Sequence, residues 1–142
     1  MQIKIKYLSD KIDHIQKTEQ GDWIDLRSSI DITMRAGDHK LIPLGIAMQL
    51  PPDYEAYILP RSSTLKTFGI LLGNSTGVVD NSYCGNSDEW KMSALCVRDT
   101  EIHVNDRICQ FRIQKKQPDF DFIEADDLGN EDRGGWGSTG TQ

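Results

Sequence analysis

Asp80 and Tyr83 fall three residues apart in the stretch N-S-T-G-V-V-D-N-S-Y-C-G, Asn74 to Gly85. A carboxylate that positions a water, near an exposed aromatic ring, has the residue types for chemistry on a bound polar ligand. Gly77 and Gly85 loosen the two ends, Val78 and Val79 favour extended backbone, and Asn81-Ser82 favours a turn. The stretch therefore predicts a β-hairpin with Asp80 and Tyr83 near its tip. A hairpin of this kind can offer backbone N–H and C=O groups to a planar polar ligand. An ordinary surface hairpin carries the same residues, so other stretches must decide.

Pro60-Arg61-Ser62-Ser63 sets a guanidinium and two hydroxyls at the start of a short helical pattern. Backbone N–H groups, hydroxyl donors and a bidentate guanidinium suit a phosphate chain, although a plain helix cap reads similarly. Asp106-Arg107-Ile108-Cys109-Gln110 lies where a turn enters a strand. Gln110 offers an amide donor to the same anion, and Arg107 suits a structural ion pair equally well. The tail Arg133-Gly134-Gly135-Trp136-Gly137-Ser138-Thr139-Gly140 joins glycine-permitted close approach to two hydroxyls, an arginine and a ring. It suits phosphates wrapped by backbone N–H groups and a base stacked on Trp136, or else a disordered tail.

The elements that must position these residues are mainly strands. Period-2 alternation runs through Ile3–Tyr7, Ile30–Arg35, Lys40–Leu50, Tyr54–Leu59, Lys91–Val97, Arg107–Lys115 and Phe120–Ala125, with turn groups between. Only Ser62–Phe68 reads as helix, with serines placed to cap its start and Gly69 its end. An all-β sandwich, barrel or jelly roll follows. With 142 residues, one core domain over 1–125 and a glycine-rich arm over 126–142 account for the chain. The net charge of −6 argues against wrapping nucleic acid, and no apolar run is long enough to span a membrane, so a soluble, cytoplasmic protein is expected. The three cysteines show no C-x-x-C spacing and the three histidines are scattered, which predicts free thiols and no structural zinc site.

Asp25 in D-W-I-D-L-R-S-S, then P-R-S-S, G-V-V-D-N-S-Y, D-R-I-C-Q-F and R-G-G-W-G-S-T-G, in that order, strongly resembles the five ordered motifs of the trimeric dUTPases, over residues from about 20 to 140. The chain looks especially like the short members from Gram-positive bacteria and their temperate phages. The resemblance implies a jelly-roll homotrimer whose three active sites are each built from all three subunits. One subunit would supply Asp25, Arg61–Ser63 and Arg107–Gln110, the second Asn74–Gly85, and the third the arm.

Carried over by residue, the resemblance implies hydrolysis of dUTP to dUMP and pyrophosphate, with Asp80 activating the water that attacks the α-phosphorus. Tyr83 would pack under the deoxyribose and exclude a 2′-hydroxyl. Backbone around Asn74, Gly77 and Val79 would read uracil in a pocket too tight for a 5-methyl group. Arg61, Ser62, Ser63 and Gln110 would hold the α- and β-phosphates, and Ser138 and Thr139 would cover the γ-phosphate. Trp136, followed by Gly137, stands where the family usually has phenylalanine over uracil. Magnesium would bind the phosphates and reach Asp25 only through water. The chain departs from the family pattern in three places: Arg133 lies three residues before the aromatic instead of five, Cys84 replaces an arginine, and Asn86–Glu89 is an insertion ahead of Trp90. Two alternatives stay open. One is a dCTP deaminase of the same fold, with Glu124 or Glu131 as its acid/base. The other is a phage-type dUTPase that also binds a repressor protein, with Asn86–Trp90 as a candidate contact surface.

Overall fold

The computed structural model describes residues 1–137 and Gly140. Its longest strand, β11 (Arg107–Lys115), lies between β2 (Ile24–Arg27) and β6 (Tyr54–Leu59), antiparallel to both, and β8 (Gly77–Val79) closes the far side of β6. A second sheet has the order β4 (His39–Pro43), β9 (Lys91–Cys96), β7 (Ile70–Leu72). Two pairs complete the molecule: β1 (Lys4–Tyr7) with β5 (Ile46–Gln49), and β3 (Ile32–Met34) with β10 (Thr100–Ile102). The fold is all-β and jelly-roll-like, with the single helix α1 (Thr64–Phe68) among the described residues.

Alternation explains the core. Ala56 and Ile58 of β6, Met92, Ala94 and Cys96 of β9, and Leu26 of β2 all turn inward and are buried. Trp90, just ahead of β9, is fully buried and meets Phe111 edge to face at 5.2 Å and 85°. Such a pair contributes about 0.5–1.5 kcal/mol beyond the area it buries. The backbone of Trp90 is bonded on both sides, to Leu44 N–H and to the Ile46 carbonyl.

Tyr54–Leu59 and Arg107–Lys115 are strands over the expected residues, but four expectations change. Asn74–Gly85 is not a hairpin: Val78 and Val79 take Tyr57 and Ala56 of β6 as partners, and the chain then enters a turn with no return strand. Lys40–Leu50 divides into β4 and β5 at Gly45, whose φ of +73° and crowding by Ile12 and Ser29 require glycine. Phe120–Ala125 forms no strand, and Phe122 is almost wholly exposed. Strands β2, β7 and β10 were not anticipated, because three or four residues carry too little alternation to stand out.

Helix α1 is short and held at both ends. At its C-terminus Gly69 is left-handed at φ +64°, and Arg98 donates to the carbonyls of Leu65 (3.0 Å) and Lys66 (2.8 Å). At its start the expected serine caps are absent. Ser63 makes no side-chain capping bond; instead buried Thr64 accepts from Arg61 N–H at 2.7 Å and donates to the Ile108 carbonyl at 3.0 Å.

Candidate active site

One cluster forms where β2, β11 and the end of β6 meet. Strand register puts Gln110 opposite Asp25 on one side and Leu59 on the other, and Arg61 follows two residues later. Arg61 Nε lies 2.9 Å from Asp25 Oδ1, and Arg107 Nη1 lies 3.4 Å from Asp25 Oδ2. Arg61 Nη1 also donates to the Arg107 carbonyl (3.3 Å), and Gln110 Nε2 to the Pro60 carbonyl (3.0 Å). Two guanidiniums thus converge on one half-buried carboxylate, and Ser62 and Ser63 follow Arg61 in the chain. Partly exposed ion pairs of this kind contribute at most about 1 kcal/mol each, so an incoming polyanion can compete for the arginines. A cleft of about 570 Å³ lined by Asp25, Arg107, Gln110, Thr18 and Trp23 opens alongside. Five helical residues make a weak dipole, so the anion-binding capacity lies in the side chains and the loop amides.

The second cluster lies on the other side of the sheet. Gly77 sits against Ile58, whose Cβ would be 3.1 Å from an added Cβ, so glycine lets β8 approach β6 closely. After Val79, whose side chain is buried, the chain turns at Asp80. Asn81 pins this turn by donating to the carbonyls of Pro51 (2.7 Å) and Tyr54 (3.1 Å). Ser82 donates to Asp80 Oδ2 twice, from its hydroxyl in a short hydrogen bond and from its N–H at 2.9 Å. These bonds favour the ionised form and hold the Asp80 carboxyl below the usual carboxylate range, aided by Lys116. Tyr83 donates its hydroxyl to the Glu89 carbonyl at 2.8 Å, and desolvation together with Asp88 and Glu89 pushes its pKa up. Asp80, Tyr83, Val78, Glu89 and Lys91 line a groove of about 360 Å³. Asn74 is exposed in the turn that precedes β8.

The two clusters do not meet within one chain. Val79 pairs with Ala56, which sets Asp80 beside the start of β6, whereas Arg61 follows its end. Six strand residues at about 3.3 Å each separate them by roughly 20 Å. The described residues of the arm join neither cluster: Arg133, Trp136 and Gly137 are exposed, with Trp136 at φ +51°. Ser138 and Thr139 lie outside the described residues.

A family model described as dUTPase matches residues 10–140. The chain belongs to the dUTPase family. Over 142 residues, the whole of both chains, it is 58% identical to the SPbeta prophage-derived deoxyuridine 5'-triphosphate nucleotidohydrolase YosS of Bacillus subtilis (strain 168). It is 38% identical over 125 residues to the deoxyuridine 5'-triphosphate nucleotidohydrolase of Neorickettsia sennetsu, covering 84% of this chain and 81% of that one. Among solved structures it is similar in fold to a mutant dUTPase from phage phi11 of S. aureus, described with a coordinated structural Mg(II) ion. There the TM-score is 0.77 at 13% identity, covering 89% of this chain and 99% of that one.

Within this family member, a divalent cation finds no group of three acidic, histidine or cysteine side chains among the described residues. Asp25 is the acidic group of the first cluster, and both of its oxygens already accept from arginines. That donor set forms no all-protein cage, so a divalent cation there would have to take most of its oxygen ligands from elsewhere. Sequence reasoning passed over Ser82, Asn81 and Thr64. Ser82 had a local signal, since a hydroxyl residue two positions after an aspartate is placed for an Asx turn. Thr64 had none, because its carbonyl partner is 44 residues away.

Proposed function

We propose that this protein hydrolyses dUTP to dUMP and pyrophosphate; the relatives it matches are named deoxyuridine 5'-triphosphate nucleotidohydrolases. The observation that carries the reading is the Asp80 turn: an exposed carboxylate, held ionised by Ser82, three residues before an exposed ring whose hydroxyl is tied back. Asp80 accepts a proton from water through Oδ1, the oxygen Ser82 leaves free. The water oxygen bonds to the α-phosphorus, the bond from that phosphorus to the bridging oxygen breaks, and pyrophosphate leaves. Tyr83 packs under the deoxyribose, and the backbone of Asn74, Gly77 and Val79 reads the uracil edge. Arg61, Ser62, Ser63 and Gln110 hold the α- and β-phosphates. Mg2+, when bound with the triphosphate, would supply charge neutralisation on the phosphates, and Asp25 is the residue that would hold it through water.

The active unit is a homotrimer. The separation of Asp80 from Arg61 by the length of β6 supports it, since one triphosphate held at Arg61 needs the Asp80 of another subunit. The exposed arm, with Arg133, Trp136 and Gly137 free of the core, supports closure over a neighbour's nucleotide by those residues together with Ser138 and Thr139. Phe120, Phe122 and Ile123 are exposed and suited to docking on that neighbour. A regulatory protein that used the Asn86–Trp90 surface would meet only Asn86–Glu89, because Trp90 is buried.

The test is pyrophosphate release from dUTP, dCTP, dTTP and UTP with magnesium, with the base product identified. Release confined to dUTP, with dUMP formed, is the expected result. Ammonia released from dCTP with dUTP untouched would overturn the reading in favour of a deaminase.

A further inference from the structure

Thr64 is wholly buried, yet its hydroxyl is not a core curiosity, because both of its hydrogen bonds are made to functionally placed backbone. Strand β11 is bulged against β2: Arg107 pairs with Arg27 and Cys109 with Leu26, so Ile108 is the extra residue between them. The ladder to β6 starts only at Gln110. A bulge leaves its extra residue outside the ladder, and a buried carbonyl without a partner is costly. The Thr64 hydroxyl supplies that partner at 3.0 Å, and its oxygen receives Arg61 N–H at 2.7 Å. One side chain therefore ties the Arg61–Ser63 loop to the strand that carries Arg107 and Gln110. Arg98 fixes the other end of α1, so the loop has no slack at either side.

We propose that Thr64 is the positioning residue of the phosphate-binding loop, setting Arg61, Ser62 and Ser63 at a fixed height relative to Gln110 so that they grip the triphosphate together. The proposal rests on the assignment of that loop to the phosphates under the proposed function. Thr64 touches no substrate; it acts through the Arg61 amide and the Ile108 bulge.

The experiment compares Thr64→Val, which keeps the shape and removes both hydrogen bonds, with Thr64→Ser, which keeps the hydroxyl. Affinities are measured for a non-hydrolysable imido analogue of dUTP and for deoxyuridine, which has no phosphates, alongside kcat, KM and the melting temperature. Thr64→Val is expected to weaken the triphosphate analogue about tenfold or more, the scale of lost buried hydrogen bonds, and to leave deoxyuridine within about twofold. Thr64→Ser is expected to restore the analogue's affinity to within about threefold of the unaltered protein. Should Thr64→Val fail to fold, Thr64→Ala, which frees the same two partners without a methyl pressed against them, is measured in the same way. Equal affinities in the unaltered and Thr64→Val proteins overturn the proposal, as does a parallel loss for both ligands that Thr64→Ser does not repair. Arg61→Ala separates the two levels: if it leaves the analogue's affinity intact, the phosphate assignment of the loop fails; if it weakens the analogue while Thr64→Val does not, only the role of Thr64 fails.

Discussion

Asp80 and Arg61 flank β6 at its two ends, one beside its first residues through the Val79–Ala56 pair, the other just past Leu59. A carboxylate that activates water and a guanidinium that holds the attacked phosphate must work within a few ångströms of the same atom. Under the proposed function, one strand's length therefore requires the two groups of a site to come from different subunits, so that each half can be altered without touching the other.

That division gives a complementation test. Asp80→Asn and Ser62→Ala, each inactive alone, are expected to regain activity when coexpressed as mixed trimers. If every site takes its Asp80 and its Ser62 from different subunits, random assembly of equal amounts restores about a quarter of the sites. Absence of any recovery in verified mixed trimers means that one chain supplies both groups.

Asp80→Asn by itself is expected to lower kcat by about 10²-fold or more, the usual scale for losing a general base. The imido analogue of dUTP should bind it within a few-fold of the unaltered protein. Isothermal titration and a pyrophosphate assay read the two quantities, and near-normal kcat would remove Asp80 from the mechanism.

Ser82 predicts a direction in pH. Its two hydrogen bonds hold the Asp80 carboxyl below the usual carboxylate range, with Lys116 adding to the effect. A depressed carboxylate contributes stability that is present above its unfolded pKa and lost as pH falls through the folded one. The same lowering places the acid limb of kcat/KM below that of an ordinary aspartate, and Ser82→Ala should move it upward. A limb that does not move in Ser82→Ala means that another group governs it.

Truncation before Arg133 is expected to leave a folded trimer with little activity, since among the described residues β11 is the last regular element and ends at Lys115. Size-exclusion chromatography and circular dichroism check the fold, and the pyrophosphate assay checks the loss. Undiminished kcat in the truncated protein would exclude the arm from catalysis.

Trp90→Ala is expected to destabilise the protein by about 3–5 kcal/mol, the range for removing a large buried aromatic. Denaturant unfolding measures it. A loss under about 1 kcal/mol would mean that the Phe111 contact and the burial are not maintained in solution.

Much of this molecule is legible in the order of its residues. Tyr54–Leu59 and Arg107–Lys115 declare themselves by alternation, and the five spaced motifs carry the family, because period-2 burial and a few chemically specialised residues are local properties. Alternation marks a residue as strand without naming its partner, which is why Val78 and Val79 read as half of a hairpin when they in fact complete β6. The clustering of Arg61 and Arg107 on Asp25, the bulge that frees the Ile108 carbonyl and the Thr64 hydroxyl that meets it were decided only by tertiary structure. Each joins residues tens of positions apart, and hydrogen bonds over such separations depend on which strands pair and in which register, information that no single stretch of the chain contains.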